Sequence, residues 1–297
     1  MALSSTQSLK QLLSEFVEVE LRLRKLRQRS QTEYLNDIKG LIHYLEGPEV
    51  PHPWQLALTH LESYIQTLRG KGYSPLTLRR KVSSLKAFGR FLYRFGYTRS
   101  NIAHSLVPPE REIHLPQVLT KAEYERLRRV AAQNVRDAGI IELLLQTGIT
   151  LSEIIGLTVN DVELPDNHYA PGILRIVKPG HYHRNRTLPL NTKAVEKFQA
   201  YLEKREGASP TLFLTKDGQP LKPRSLQKMV YKYLRLADIE HASVNTLRTT
   251  FAAHLLRKGA SLETVQKMLG HADRKTTARY LVLPELIVRR EVEDHSL

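Results

Sequence analysis

The stretch from Asn245 to Leu281, NTLRTTFAAHLLRKGASLETVQKMLGHADRKTTARYL, decides how the chain is read. Apolar residues recur at helical spacing over Val244 to Lys258, Leu262 to Leu269 and Arg274 to Leu281, which predicts three helices. Gly270 falls where a helix C-cap belongs, because glycine enters the left-handed backbone region without a Cβ penalty. His271 follows that cap, and Tyr280 lies nine residues beyond His271. Taken singly, these residues have ordinary roles: a half-buried packing tyrosine, a cap-region histidine and, at Arg248, a surface ion pair. Two short helices about a glycine also match a helix-turn-helix superficially, so an unrelated transcription factor is the least favoured of three functional readings.

Upstream, Thr120 to Ala132 opens with a threonine cap and an acid three residues on, Glu123, as in a capping box. Asp137 to Gln146 is an apolar helix ending at Gly148, inside LLLQTGITLSEIIGL (143–157). Ile173 to Val177 and Arg186 to Leu190 predict two short strands around KPGHYHRN, hence a hairpin. Helices follow over Thr192 to Arg205 and Arg224 to Ala237. The second half is therefore mainly α with a small antiparallel β-sheet.

The first hundred residues read as helices alone: Ser8 to Leu26, Ser30 to Leu45, Pro53 to Arg69 and Pro75 to Phe95, broken at Gly47-Pro48, Gly70-Lys71-Gly72 and Gly96. His104 to Gln117 holds Pro108, Pro109 and Pro116 and reads as an extended linker. The expected domains are a helical one over residues 1–103, a linker over 104–117, an α+β one over 118–284 and a tail over 285–297.

Charge narrows the partner. Across 297 residues, 45 Lys and Arg against 30 Asp and Glu give +15, which points to a polyanion. The excess is local: residues 1–50 are balanced, whereas residues 51–105 carry nine basic side chains against one acid, Glu62. On the helix that starts at Ser74-Pro75, Leu85, Phe88, Phe91 and Leu92 share one side and Arg79, Lys86, Arg90 and Arg94 the other. A cationic stripe backed by an apolar one suits a helix that packs on a small core and lies along duplex DNA; the alternative is a solvated face. Arg80 belongs to the same basic run. No stretch has the roughly 18 to 20 apolar residues of a membrane span, and the N-terminus lacks a secretory pattern. Zero cysteines exclude disulfides, thiol nucleophiles and cysteine-ligated zinc, and fit a cytoplasmic protein.

The order of LLLQTGITLSEIIGL, the hairpin, the 245–281 stretch and a short tail resembles the catalytic domain of tyrosine recombinases of the phage-integrase and Xer type. SPLTLRRKVSSLKAFGRFLYRFGYTRSNIA (74–103) is similar to that family's helical core-binding domain. The resemblance runs from about residue 5 to 290. It implies a metal-free and cofactor-free reaction in which a tyrosine attacks a DNA phosphodiester and leaves a 3′-phosphotyrosyl link. Two arginines suit the nonbridging oxygens because guanidinium is planar, charged and bidentate. A hairpin lysine protonates the leaving oxygen, and a histidine helps manage the tyrosine proton.

By the resemblance, Tyr280 matches the nucleophile, His271 the histidine that bonds the scissile phosphate, and Arg248 the arginine of the H-x-x-R box. Asn245 stands where that box has histidine, and Thr150 where the first clamping arginine belongs. Threonine is short and neutral and supplies no bidentate charge. The hairpin lysine falls on Lys178 if the local KPG text is matched, and the position is occupied by His181 if residues are counted back from Arg186 without gaps; Lys178 is the choice. His181, His183, Arg184 and Arg186 also make a cationic loop that could grip DNA. Two readings follow. One is a recombinase in which a basic residue such as Arg184 or Arg186 replaces the lost clamp. The other is an inactive DNA-binding accessory or regulatory subunit. In either case the expected assembly is a homo-tetramer, or a mixed tetramer with a paralogue, on double-stranded DNA, with the tail docking in a neighbour.

Overall fold

A computed structural model describes residues 8–21, 28–46, 52–110, 116–165, 171–178, 185–240, 242–285 and 288. His181, His183 and Arg184 of the hairpin, part of the linker and most of the tail lie outside these residues. The chain divides into two compact units, Met1–His114 and Leu115–Leu297.

The N-terminal unit holds α1 (Leu9–Glu15), running on as a π-helical turn over Phe16–Leu21, α2 (Gln28–Leu45), α3 (Leu58–Gly70) and α4 (Pro75–Arg94). The expected helix from Pro53 is split: Pro53–Gln55 forms a 3₁₀ turn, and α3 begins only after the extended Leu56 and Ala57. α4 starts as its sequence predicts. The Ser74 hydroxyl accepts from the Thr77 amide, and Pro75 sits at the first helical position, where a missing N–H costs nothing. Leu85, Phe88, Phe91 and Leu92 are all buried. Phe16 packs edge-on against both Phe88 and Phe91, with ring centroids 5.2 and 5.4 Å apart.

The C-terminal unit contains α5 (Lys121–Ala131), α6 (Val135–Thr147), α7 (Leu151–Gly156), strands β1 (Val162–Glu163), β2 (Gly172–Ile176) and β3 (Arg186–Leu190), then α8 (Thr192–Glu203), α9 (Pro223–Leu236), α10 (Val244–Arg257), α11 (Leu262–Leu269) and α12 (Arg274–Ala278). α6 is apolar nearly all round and is the buried centre: Ile140, Leu143 and Leu144 are inaccessible to solvent. The sheet is antiparallel in the order β1-β2-β3, with Gly172 opposite Leu190 and Ile176 opposite Arg186. Leu174, Ile176, Leu188 and Leu190 alternate into the core, as a period of two requires. The hairpin therefore gains a third, two-residue strand, too short to leave a periodic signal. The last helix is shorter than expected and ends at Ala278, so Tyr280 lies in the turn that follows it. Among the described residues no helix is long and apolar enough to cross a membrane.

Candidate active site

Two left-handed glycines place the centre of the site. Gly148 (φ +58°) ends α6 and Gly270 (φ +66°) ends α11. A Cβ on Gly148 would lie 2.5 Å from Phe251, and one on Gly270 would lie 2.7 Å from Arg186 Nη1. Both turns thus need glycine for backbone and for space. They bring two carbonyls to one guanidinium. Arg248, on the inner face of α10 and 8% exposed, donates from Nη1 to Gly148 O at 2.5 Å and from Nη2 to Leu269 O at 2.7 Å. The same Nη2 lies 2.9 Å from His271 Nε2.

Burial lowers the pKa of Arg248, an effect opposed by the nearby Tyr280 and Glu153. Arginine stays protonated regardless, so it remains a fixed donor. The Tyr280 phenol lies near enough to this guanidinium to raise its pKa. Its ring stacks against that of His271, with centroids 6.0 Å apart, and packs with Val118, Phe251, Leu269 and Leu283; only 3% of it is exposed. Arg248, His271 and Tyr280 therefore meet around one guanidinium.

Thr150 and Asn245 come to the same place. With Ile149, Leu151, Gln227, Tyr231, Ser243 and Arg248 they line one groove of about 300 Å³. Thr150 has a role of its own there as the N-cap of α7. Its hydroxyl accepts from the Glu153 amide, while Glu153 Oε2 accepts from the Thr150 amide at 2.8 Å. Gln227 and Tyr231, one turn apart on α9, and Ser243 were not singled out by sequence reasoning. A helix of mixed polar residues offers no signal that one pair borders a site.

Arg186 is not turned outward as a replacement clamp. Its guanidinium makes a two-pronged pair with Glu153, Nη1–Oε1 2.8 Å and Nη2–Oε2 3.3 Å, and Nε donates to Met268 O at 2.7 Å. Both side chains are 7% exposed. Burial on its own would raise the pKa of Glu153, but Arg186 and the Thr150 cap outweigh it and hold it at about 2. Glu153 is thus an anionic strut between α7, β3 and the end of α11. Lys178, at the end of β2, is half-buried, and its amide donates to Asn185 Oδ1 at 2.8 Å. His181 and Arg184 fall outside the described residues. Among the described residues no cluster of His, Asp or Glu could hold a metal ion.

In the N-terminal unit the basic run of α4 divides. Arg80 and Lys81 pair with the buried Asp37, which also accepts from Ser84, and Arg80 reaches Glu33 as well. Arg79 donates to Pro109 O, and Arg94 lies 3.7 Å from Glu20. Lys86 and Arg90 instead border a hollow of about 320 Å³ with Asn101, Ala103 and His104. Acids from the α1–α2 side, evenly balanced in sequence, thus reach part of this basic run.

A helical unit followed in sequence by an α+β unit whose buried arginine gathers a histidine and a tyrosine defines the integrase-like class of proteins. The chain belongs to the phage integrase family: residues 117–284 match that family, and residues 13–96 match the phage integrase N-terminal SAM-like domain. It is 35% identical over 208 residues to tyrosine recombinase XerC of Pelobacter propionicus, covering 68% of this chain and 67% of that protein. It is 28% identical over 277 residues to tyrosine recombinase XerD of Oceanobacillus iheyensis, covering 89% and 90%. Among solved structures, a lambda integrase dimer bound to a COC′ core site shares the fold with a TM-score of 0.74 at 17% identity, covering 92% of this chain and 77% of that one.

Proposed function

We propose that this chain clamps duplex DNA and cleaves it slowly through Tyr280, as a tyrosine recombinase with an impaired phosphate clamp. The observation that carries the reading is the buried Arg248, which donates to His271 Nε2 and lies close to the buried Tyr280 phenol. A module that only binds DNA has no need of that trio. Arg248 and His271 hold the scissile phosphate, Tyr280 attacks it, and Lys178 is the acid for the leaving 5′-oxygen. Lys86 and Arg90, with Arg184 on the hairpin, grip the backbone. Four strands must be exchanged, which calls for a tetramer of this chain or of this chain with a paralogue.

One observation favours a second reading, a non-cleaving accessory subunit. Thr150 is committed as a helix cap and Arg186 to Glu153, so among the described residues Arg248 has no guanidinium partner facing the groove. Loss of one preorganised donor costs about 10²- to 10³-fold in rate, and loss of a charged clamp more. The two readings separate in one assay. Duplex recovered by the protein from a random pool is nicked at successive positions, and SDS-stable covalent adduct is sought. A slow adduct that is absent in Tyr280→Phe supports cleavage, and no adduct at any nick supports the accessory. Adduct formation should rise in Thr150→Arg/Asn245→His. If the doubly restored protein binds the same duplex and forms none, the assignment of those two positions is wrong.

A further inference from the structure

The groove beside Arg248 is lined by groups that suit a second cation better than a phosphate alone. A guanidinium has five N–H donors. In Arg248 three are taken up by Gly148 O, Leu269 O and His271 Nε2, which leaves two at most for an anion in the groove. Among the described residues that line the groove Arg248 alone is charged; Thr150, Gln227, Tyr231, Ser243 and Asn245 are neutral. Arg186 is held by Glu153 and Met268 O and does not line it. Two features of the lining recognise a flat cation. Tyr231 is 43% exposed, and a guanidinium stacks on such a ring through the quadrupole of its face. Gln227, one turn before Tyr231 on α9, and Asn245, the second residue of α10, are exposed, and each amide offers a carbonyl oxygen that accepts from an N–H. A phosphate would use only the amide N–H groups and would gain nothing from the ring. The groove measures about 300 Å³ and these rim residues are exposed, so a guanidinium on the end of a long side chain can enter it beside a phosphate.

We propose that this groove receives the guanidinium of an arginine from another polypeptide chain, which stacks on Tyr231, donates to Gln227 and Asn245, and flanks the scissile phosphate opposite Arg248. The inference rests on the reading of Tyr280 as the nucleophile. The phosphate makes two cations compatible in one groove, because each set of N–H groups faces anionic oxygen rather than the other charge. The incoming arginine touches the reacting group and is catalytic. Tyr231 and Gln227 hold it there and are positioning residues. The site is therefore incomplete in a single copy of this chain, and cleavage depends on the chain that delivers the arginine.

Free guanidinium ion is the probe. With the unaltered full chain and the nicked duplexes recovered from the random pool, millimolar guanidinium chloride should raise the rate of adduct formation saturably and by about tenfold or more, a part of the about 10²- to 10³-fold that a preorganised donor is worth. Sodium chloride at equal ionic strength should not, nor should urea, a neutral molecule of similar shape. N-acetyl-arginine amide should replace guanidinium, and N-acetyl-citrulline amide should not. Tyr231→Ala should need about tenfold more guanidinium for half the effect, whereas Tyr231→Phe, which keeps the ring face, should stay within about threefold of the unaltered chain. Thr150→Arg/Asn245→His, which brings its own arginine to the groove, should gain nothing from guanidinium. A response to guanidinium without one to the arginine amide would overturn delivery by a polypeptide. Adduct from Thr150→Arg/Asn245→His, with no guanidinium response in the unaltered chain, would refute the role of the groove alone. No adduct from either protein, with or without guanidinium, would refute the cleavage reading and this inference together.

Discussion

Replacing Arg186 with methionine is the most informative perturbation of the core beneath the site. Glu153 and Arg186 are both 7% exposed and joined by two hydrogen bonds, so methionine would keep the volume and strand a buried carboxylate. The native pKa of Glu153, about 2 against an ordinary 4.5, corresponds to roughly 3 kcal/mol of stabilisation of the charged form. That figure agrees with the about 3–5 kcal/mol cost of breaking a buried pair from one side. The sign follows from the depressed pKa. The stabilisation is fully present above pH 4.5 and is lost as pH falls toward 2. Urea unfolding of the C-terminal unit at pH 7 should therefore show Arg186→Met less stable by about 3 kcal/mol. Between pH 4.5 and 2 the unaltered chain should lose about that much, while the variant loses little there. The double variant Arg186→Met/Glu153→Gln should be more stable than Arg186→Met, because the unpaired charge is gone. A loss under about 1 kcal/mol in the single variant, with an unchanged acid limb, would show that the pair does not hold α7 to β3.

Other perturbations follow the same logic. Gly270→Ala forces a Cβ into the left-handed region and within 2.7 Å of Arg186 Nη1, so it should cost about 2 kcal/mol in unfolding free energy; a neutral result would mean the turn relaxes freely. Thr150→Ala removes the α7 cap and should cost about 1 kcal/mol by the same measurement, with the same loss expected in Thr150→Arg. Asp37→Ala leaves Arg80 and Lys81 without their buried acid and should lower the stability of the N-terminal unit by about 3 kcal/mol, read as a shift of its unfolding midpoint. Lys86→Glu/Arg90→Glu should weaken retention of duplex DNA and flatten the dependence of log K on log salt by about two charge units, whereas Arg80→Glu should act mainly through stability; an unchanged slope in the first would refute the α4 grip.

Much of this protein was legible before its structure, for physical reasons that differ by residue. The 3.6-residue spacing of Leu85, Phe88 and Leu92 set the buried face of α4, because a helix that hides one stripe writes that stripe into its sequence. Ser74, Thr120 and Gly270 marked helix ends, since capping is chemistry between near neighbours. The order of motifs was enough to recognise the family, and the presence of Thr150 and Asn245 at unexpected places needed nothing but reading. What folding alone decided are meetings between residues far apart in the chain. Arg186 looked like a free cation and is tied to Glu153, 33 positions away. Arg80 belonged by sequence to a basic run and is paired with Asp37, 43 positions away. Thr277 had no sequence signal at all, yet its hydroxyl lies 2.9 Å from His271 Nδ1. Periodicity and caps are local and survive in the one-dimensional record. Which charge meets which carboxylate, and which side chain meets a histidine ring nitrogen, depends on packing that brings distant segments within about 3 Å, the range of a hydrogen bond.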